Sequence, residues 1–249
     1  MNRLTAKIKP AKGFAQFFHI GLLLLLPILV FVMVRLNLVG IAVALIVLSK
    51  WRMFAVKPRH WPANIRANAI DIIVGLSFLV FMIHADSQTA QLVWTALYAG
   101  WLVLLKPRNN ALAVSLQAII GQVAGLSALF LVWGGSSLYI LVILAWVVCY
   151  SAARHFLTSF DEPLTRFLSY VWGYFGAALT WLLGHWLLFY GVISQPTLIL
   201  SVIGFGVASL YYLEKTDKLS SLLRRQIIFI ILAIIVIVLA FSNWGDKAI

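Results

Sequence analysis

Residues 14–49 read FAQFFHIGLLLLLPILVFVMVRLNLVGIAVALIVLS, an almost continuously apolar run interrupted by Arg35 and Asn37. Drawn as one α-helix, the run would be about 54 Å long at 1.5 Å per residue, against a hydrocarbon core about 30 Å thick. No tilt reconciles those lengths, so the spacing predicts a helical hairpin that turns near Arg35 to Asn37. Apolar stretches of comparable character recur at 66–84, 89–105, 111–133, 138–153, 164–190, 196–213 and 226–243. Lipid cannot satisfy open backbone groups, and a helix satisfies them internally, so each stretch is expected to be a transmembrane helix.

The fold expected is therefore an all-α, polytopic transmembrane helix bundle of about nine spans. Composition agrees: 63% of the 249 residues are hydrophobic and 10% are charged, with a mean hydropathy of +1.01. A soluble domain carries about a quarter charged residues, because its surface must be wetted.

Charge placement predicts the orientation. The chain holds 19 Lys and Arg against 7 Asp and Glu, a formal charge of +12. With the N-terminus cytoplasmic, the inner segments hold Arg3, Lys7, Lys9 and Lys12, then Lys50, Arg52, Lys57, Arg59 and Arg66. Further along they hold Lys106 and Arg108, Arg154 and Arg166, and Lys215, Lys218, Arg224 and Arg225. Arg35 and Lys247 alone fall outside. Such asymmetry is the positive-inside pattern. It puts the C-terminus outside, and losing a whole hairpin would preserve it, so seven spans is the alternative count.

The organisation expected is a basic cytoplasmic segment over residues 1–13, one transmembrane domain over 14–243, and a short external tail over 244–249. The location is a cell membrane, the cytoplasmic or inner membrane in a bacterium. Basic clusters between apolar runs point to anionic lipid headgroups on the cytoplasmic side as partners, not to nucleic acid. A protein partner or a second copy of the chain is also open.

A period of about fifty residues is visible. Trp51, Lys57-Pro-Arg59 and Gly75-Leu-Ser77 recur as Trp101, Lys106-Pro-Arg108 and Gly125-Leu-Ser127, and Gly176 continues the spacing. A duplicated hairpin would produce it. So would a common demand of inner turns for basic residues, proline and interfacial tryptophan.

Ionisable groups inside spans are costly, which makes Asp71 the first residue to consider. Near the inner end of the third span, the helix dipole and Arg66 or Asn68 would steady it. It could also order Arg59 and Arg66 around a phosphate-bearing headgroup, which makes Arg59, Arg66 and Asp71 a candidate headgroup site. A second candidate is a midplane cavity. The fifth span carries Gln117 and Gln122 with Gly121 and Gly125, a spacing that lets helices approach closely. The seventh carries Tyr170, Tyr174, Trp181 and His185 on one helical stripe. Ser159 to Glu162 with Pro163 resembles a capping box ahead of that span.

No cofactor, metal site or catalytic residue is expected. Cys149 is the single cysteine, and there is no phosphate loop, HExxH, GxSxG or aspartate cluster. The sequence thus leans away from an enzyme. The reading it favours is a permease-like or channel-like protein that moves a small or apolar solute. The alternatives are a non-catalytic membrane subunit or anchor of a larger complex, and a lipid-phosphate enzyme at the inner leaflet.

Overall fold

The computed structural model describes residues 14–186, 189–190 and 193–243. The basic segment over 1–13, with Arg3, Lys7, Lys9 and Lys12, and the tail over 244–249, with Lys247, lie outside those residues. Within them the protein is all-helical apart from one short strand pair. The helices are α1 Phe14–Arg35, α2 Val39–Leu48, α3 Trp61–Ile83, α4 Gln88–Gly100, α5 Ala111–Trp133, α6 Leu138–Thr158, α7 Thr165–Gly184, α8 Gln195–Lys215 and α9 Ser221–Phe241.

Five segments are long and apolar enough to cross a membrane: Pro58–Ile83, Ala111–Trp133, Leu138–Thr158, Gln195–Lys215 and Ser221–Phe241. The expected hairpin turns where Arg35 and Asn37 interrupt the apolar run, with Asn37 in the left-handed region at φ 57°. Asparagine tolerates that conformation because its short side chain can bond locally.

Three elements differ from the sequence expectation. Helix α2 has 10 residues, about 15 Å of rise, which is half a hydrocarbon core. The chain continues as a 3-10 turn over Trp51–Met53. Trp61 and Asn64 hold the following backbone: Trp61 Nε1 donates to the Phe54 and Val56 carbonyls, and Asn64 Nδ2 donates to that of Met53. Helix α4 changes to a π-helical turn over Trp101–Leu105. Helix α7 ends at Gly184, short of residue 190, and antiparallel strands Phe189–Tyr190 (β1) and Ile193–Ser194 (β2) lead into α8.

Caps set several helix starts. Ser87, Asn110 and Ser220 each accept a backbone N–H of the first turn with the side-chain oxygen, which satisfies donors that a helix start leaves open. Ser159 instead donates to the Phe156 carbonyl at the end of α6, and Glu162 points to α8. The expected capping box before α7 is therefore not formed.

Two larger apolar cores stand beside a smaller cluster of Ala118, Phe156 and Leu157. One gathers Val30, Ala42, Ile46, Val74, Leu79, Met82 and Tyr98 from α1 to α4. The other gathers Leu126, Leu141, Ala145, Cys149 and Leu200 from α5, α6 and α8. Helix α5 stands between them, packed on α3, α6 and α8. Gly125 makes that possible: a Cβ there would come within 2.7 Å of the Ile73 side chain and 2.9 Å of Val148. Helix α9 docks on α8, and Val238 is its one buried residue.

Candidate functional site

Two of the polar clusters among the described residues tie several elements together, one beside each of the two larger cores. In the first, Asp71 sits mid-way along α3, where its Oδ2 accepts Lys50 Nζ at 2.8 Å and forms an ion pair with Lys106 Nζ at 3.1 Å. The two lysines arrive from the two irregular elements. Lys50 follows the early end of α2. Lys106 closes the π-helical turn, its N–H bonding the Trp101 carbonyl at 2.9 Å. Gln117 braces this turn from α5: its Nε2 donates to the Leu105 carbonyl at 2.7 Å and the Arg108 carbonyl at 3.0 Å. His155 of α6 lies 2.9 Å from Gln117 Oε1, and since an amide oxygen only accepts, the Nε2–H donates.

In the second place Gln122 joins three helices. Its Nε2 donates to the Leu200 carbonyl of α8 at 3.0 Å, and its Oε1 accepts Trp172 Nε1 of α7 at 2.8 Å. The side chain has one donor group and one acceptor, and both are used. Beside this bridge lies a cleft of about 270 Å³ between α5, α6, α7 and α8. Ala118, Gln122, Phe156, Trp172, Ser201 and Phe205 are among its lining residues, and its wall is almost wholly apolar. The Ser201 hydroxyl there is buried without a hydrogen-bond partner among the described residues. Gly204 lets α8 approach: a Cβ there would come within 2.8 Å of Gln122 Nε2. Along the same face an apolar groove between α5 and α8 shares Ile119, Phe205 and Ala208 with the cleft.

Tyr211 closes one end of the cleft. Its hydroxyl donates to Glu162 Oε2, and Lys215 Nζ stands 3.1 Å from the same oxygen. The Tyr211 hydroxyl first, and Lys215 next, hold the Glu162 carboxyl below the usual carboxylate range.

The residues singled out from sequence separate in space. Asp71 meets Lys50 and Lys106 in place of Arg59 and Arg66. Arg59 Nε donates to His60 Nε2 and Arg66 Nε to the Pro62 carbonyl, while Asn68 bonds the Asn64 carbonyl. The six cavity candidates do not share one cavity, and of them only Gln122 lines the cleft. Gln117 faces the π-helical turn. Tyr170, Tyr174 and Trp181 are on the outside of α7, with Tyr174 65% exposed. Tyr170 and Tyr174 lie against Trp146 of α6, and Trp181 against Tyr139. His185 Nδ1 lies 2.7 Å from the Trp181 carbonyl. The stripe is real as a helical face, but it faces away from the cleft because α7 turns Trp172 and Leu168 toward it.

Sequence reasoning missed Lys50, Lys106, His155, Trp172 and Ser201. The signal for Lys50 was indirect: an apolar run that stops after ten residues and ends on a lysine. For Lys106, His155 and Trp172, partners lie 35 to 50 residues away in the chain, and no local spacing announces them or the unpartnered Ser201.

Among the described residues no three His, Cys, Asp or Glu side chains converge as metal ligands would. No protein-family model matches the chain, nor does any curated protein or solved structure.

Proposed function

We propose that the chain is a polytopic membrane protein with nine crossings, N-terminus cytoplasmic and C-terminus outside, that takes up an apolar solute in the manner of a permease. The observation that carries the reading is the cleft between α5 and α8, an apolar space of about 270 Å³ with Gln122 and the unpartnered Ser201 hydroxyl in its wall. Ligand sites are concave, mostly apolar, and use a few polar groups to fix orientation. Ser201 supplies one such group. A water-filled channel through the bundle receives less support, because Gln117 and Gln122 are both consumed as bridges between helices.

The nine-crossing count requires the short α2 to reach the far side through residues 49–56. Irregular backbone is tolerated at membrane depth where it is buried in protein. Residues 49–56 are mostly exposed, with Met53 buried, and what supports them is hydrogen bonding: Trp61 and Asn64 of α3 donate to the carbonyls of Phe54, Val56 and Met53, which lipid would leave open. Cysteines placed at Lys57 and Lys106 should label from one face, and a cysteine at Ser136 from the other. Labelling of Lys57 and Lys106 from opposite faces would refute the topology.

The test of function is flux. Purified protein in liposomes should release or admit an apolar fluorescent solute faster than empty liposomes. Ala208→Leu, which fills the cleft from α8, should abolish the difference, while Tyr174→Ala on the outer face of α7 should leave it. Flux indifferent to Ala208→Leu would overturn the reading.

A second reading, a subunit or anchor in a larger complex, has one observation in its favour. Helix α9 spans 21 residues and buries only Val238, leaving Phe229, Leu232, Val236 and Phe241 outward. Copurification of a stoichiometric partner in mild detergent would favour it. Lipid-phosphate chemistry through Asp71, Arg59 and Arg66 gains no support, since the two arginines bond elsewhere.

A further inference from the structure

We propose that Lys50 and Lys106 form a binding site for an oxyanion, a phosphate or carboxylate group, for which Asp71 is the built-in counter-ion. The site uses none of the residues that line the cleft and is independent of the transport reading.

Charge is the first argument. Two ammonium groups meet on one carboxylate oxygen, which leaves an excess of one positive charge. The other described acids, Asp86, Asp161, Glu162, Glu214 and Asp217, lie at helix ends or in the turns after α3, α6 and α8. Among the described residues none of them forms an ion pair with Lys50 or Lys106. Uncompensated charge away from water is costly, and an anion would remove the excess.

Hydrogen-bonding capacity is the second. An ammonium group has three donors; Lys50 directs one to Asp71, and Lys106 stands in ion-pair contact 3.1 Å from the same oxygen. The two groups converge on a point, as two oxygens of one phosphate or carboxylate would require, and such charge-assisted bonds are the strong ones.

Access and placement are the third. The side chains of Lys50, Asp71 and Lys106 are 10%, 16% and 31% exposed, so the site is sheltered but open on the side of Lys106. Arg52 and Arg108 each follow two residues after one of the lysines and add a positive field that draws anions in. Lys106 also ends a π-helical turn, a rare distortion that recurs at functional sites. Gln117 and His155 hold that distortion in place from α5 and α6.

The same chemistry could belong to a lipid headgroup or to a soluble anion, and one experiment separates them. The full chain in phosphatidylcholine nanodiscs is treated with a water-soluble lysine-acylating ester, and the modification of Lys106 is followed by peptide mass spectrometry against exposed Lys218. Inorganic phosphate should slow acylation of Lys106 by about tenfold if the source is soluble. Phosphatidylglycerol in the disc should do so, with phosphate ineffective, if the source is a headgroup. Either result supports the site, provided Lys50→Gln removes the protection. In Asp71→Asn the lysines lose their resident partner, so its melting temperature should fall in anion-free buffer and recover on adding the protecting anion. If Asp71→Asn does not fold, labelling of the unmodified chain decides. No protection by either probe, or protection unchanged in Lys50→Gln, would overturn the proposal.

Discussion

Around Asp71 three charged groups meet and two helices lose their regularity; around Gln122 one neutral amide joins α5, α7 and α8, and all three stay regular. The difference follows from what each side chain brings. A carboxylate accepts but cannot donate, and its charge needs cations, which are long and must come from chain that has left its helix. Lys50 arrives by stopping α2, and Lys106 by widening the last turn of α4. An amide brings both a donor and an acceptor without charge, and Gln122 finds its partners on undistorted helices. One half of the protein is thus held by charge and bent backbone, the other by a neutral bridge beside an open apolar cleft.

The largest effect expected on this contrast is at Asp71. Asp71→Ala leaves two ammonium groups unpaired and should cost about 3–5 kcal/mol in anion-free detergent, read as the midpoint of unfolding. Replacing all three groups together, as Lys50→Met, Asp71→Leu and Lys106→Met, should restore stability to near the starting value or above it. A triple variant as unstable as the single one would break the comparison. Gln122→Leu should cost less, about 1–3 kcal/mol, because it leaves Trp172 Nε1 without its acceptor and removes the second bond to the Leu200 carbonyl, but strands no charge. Gly125→Ala should cost about 1–3 kcal/mol in the same assay through contact with Ile73 and Val148, and should affect both halves because α5 serves both.

A smaller effect belongs to Glu162. Its folded-state carboxyl titrates below the ordinary carboxylate value, so its contribution is fully present above that ordinary value and is lost as the pH falls through the lower folded one. Glu162→Gln should flatten the acid limb of a stability profile and change nothing near neutrality beyond the loss of the contact itself. The smallest effect is at Tyr174, where replacement by alanine should stay within about 0.5 kcal/mol, as exposed positions do. A loss well beyond that would place the aromatic stripe in an interface.

Much of this architecture is legible in the sequence where a single local rule decides. The fifth stretch, 111–133, coincides with α5, because Asn110 caps its start and Gly134 follows its end. Arg35 and Asn37 mark the first turn because polarity breaks an apolar run there. What the sequence hides is set by distant partners. Trp101–Leu105 has the composition of an ordinary helix, and nothing local says that Gln117 will take the Leu105 carbonyl. Leu188–Ile193 is apolar enough to extend a helix, yet α7 ends at Gly184 and β1 pairs with β2. Asp71 is conspicuous in sequence, but its lysines lie 21 and 35 positions away, on chain that reads as ordinary inner turn.

Helix α9 carries a mechanical consequence. It meets the bundle along α8, through Ile231 packed at Gly206 and the Gln195 to Ser242 hydrogen bond at 3.2 Å. A pull on the chain beyond Phe241 would therefore reach α5 and α7 chiefly by way of α8, so the contact of Ile231 with Gly206 would bear the load ahead of the Gln122 bridge.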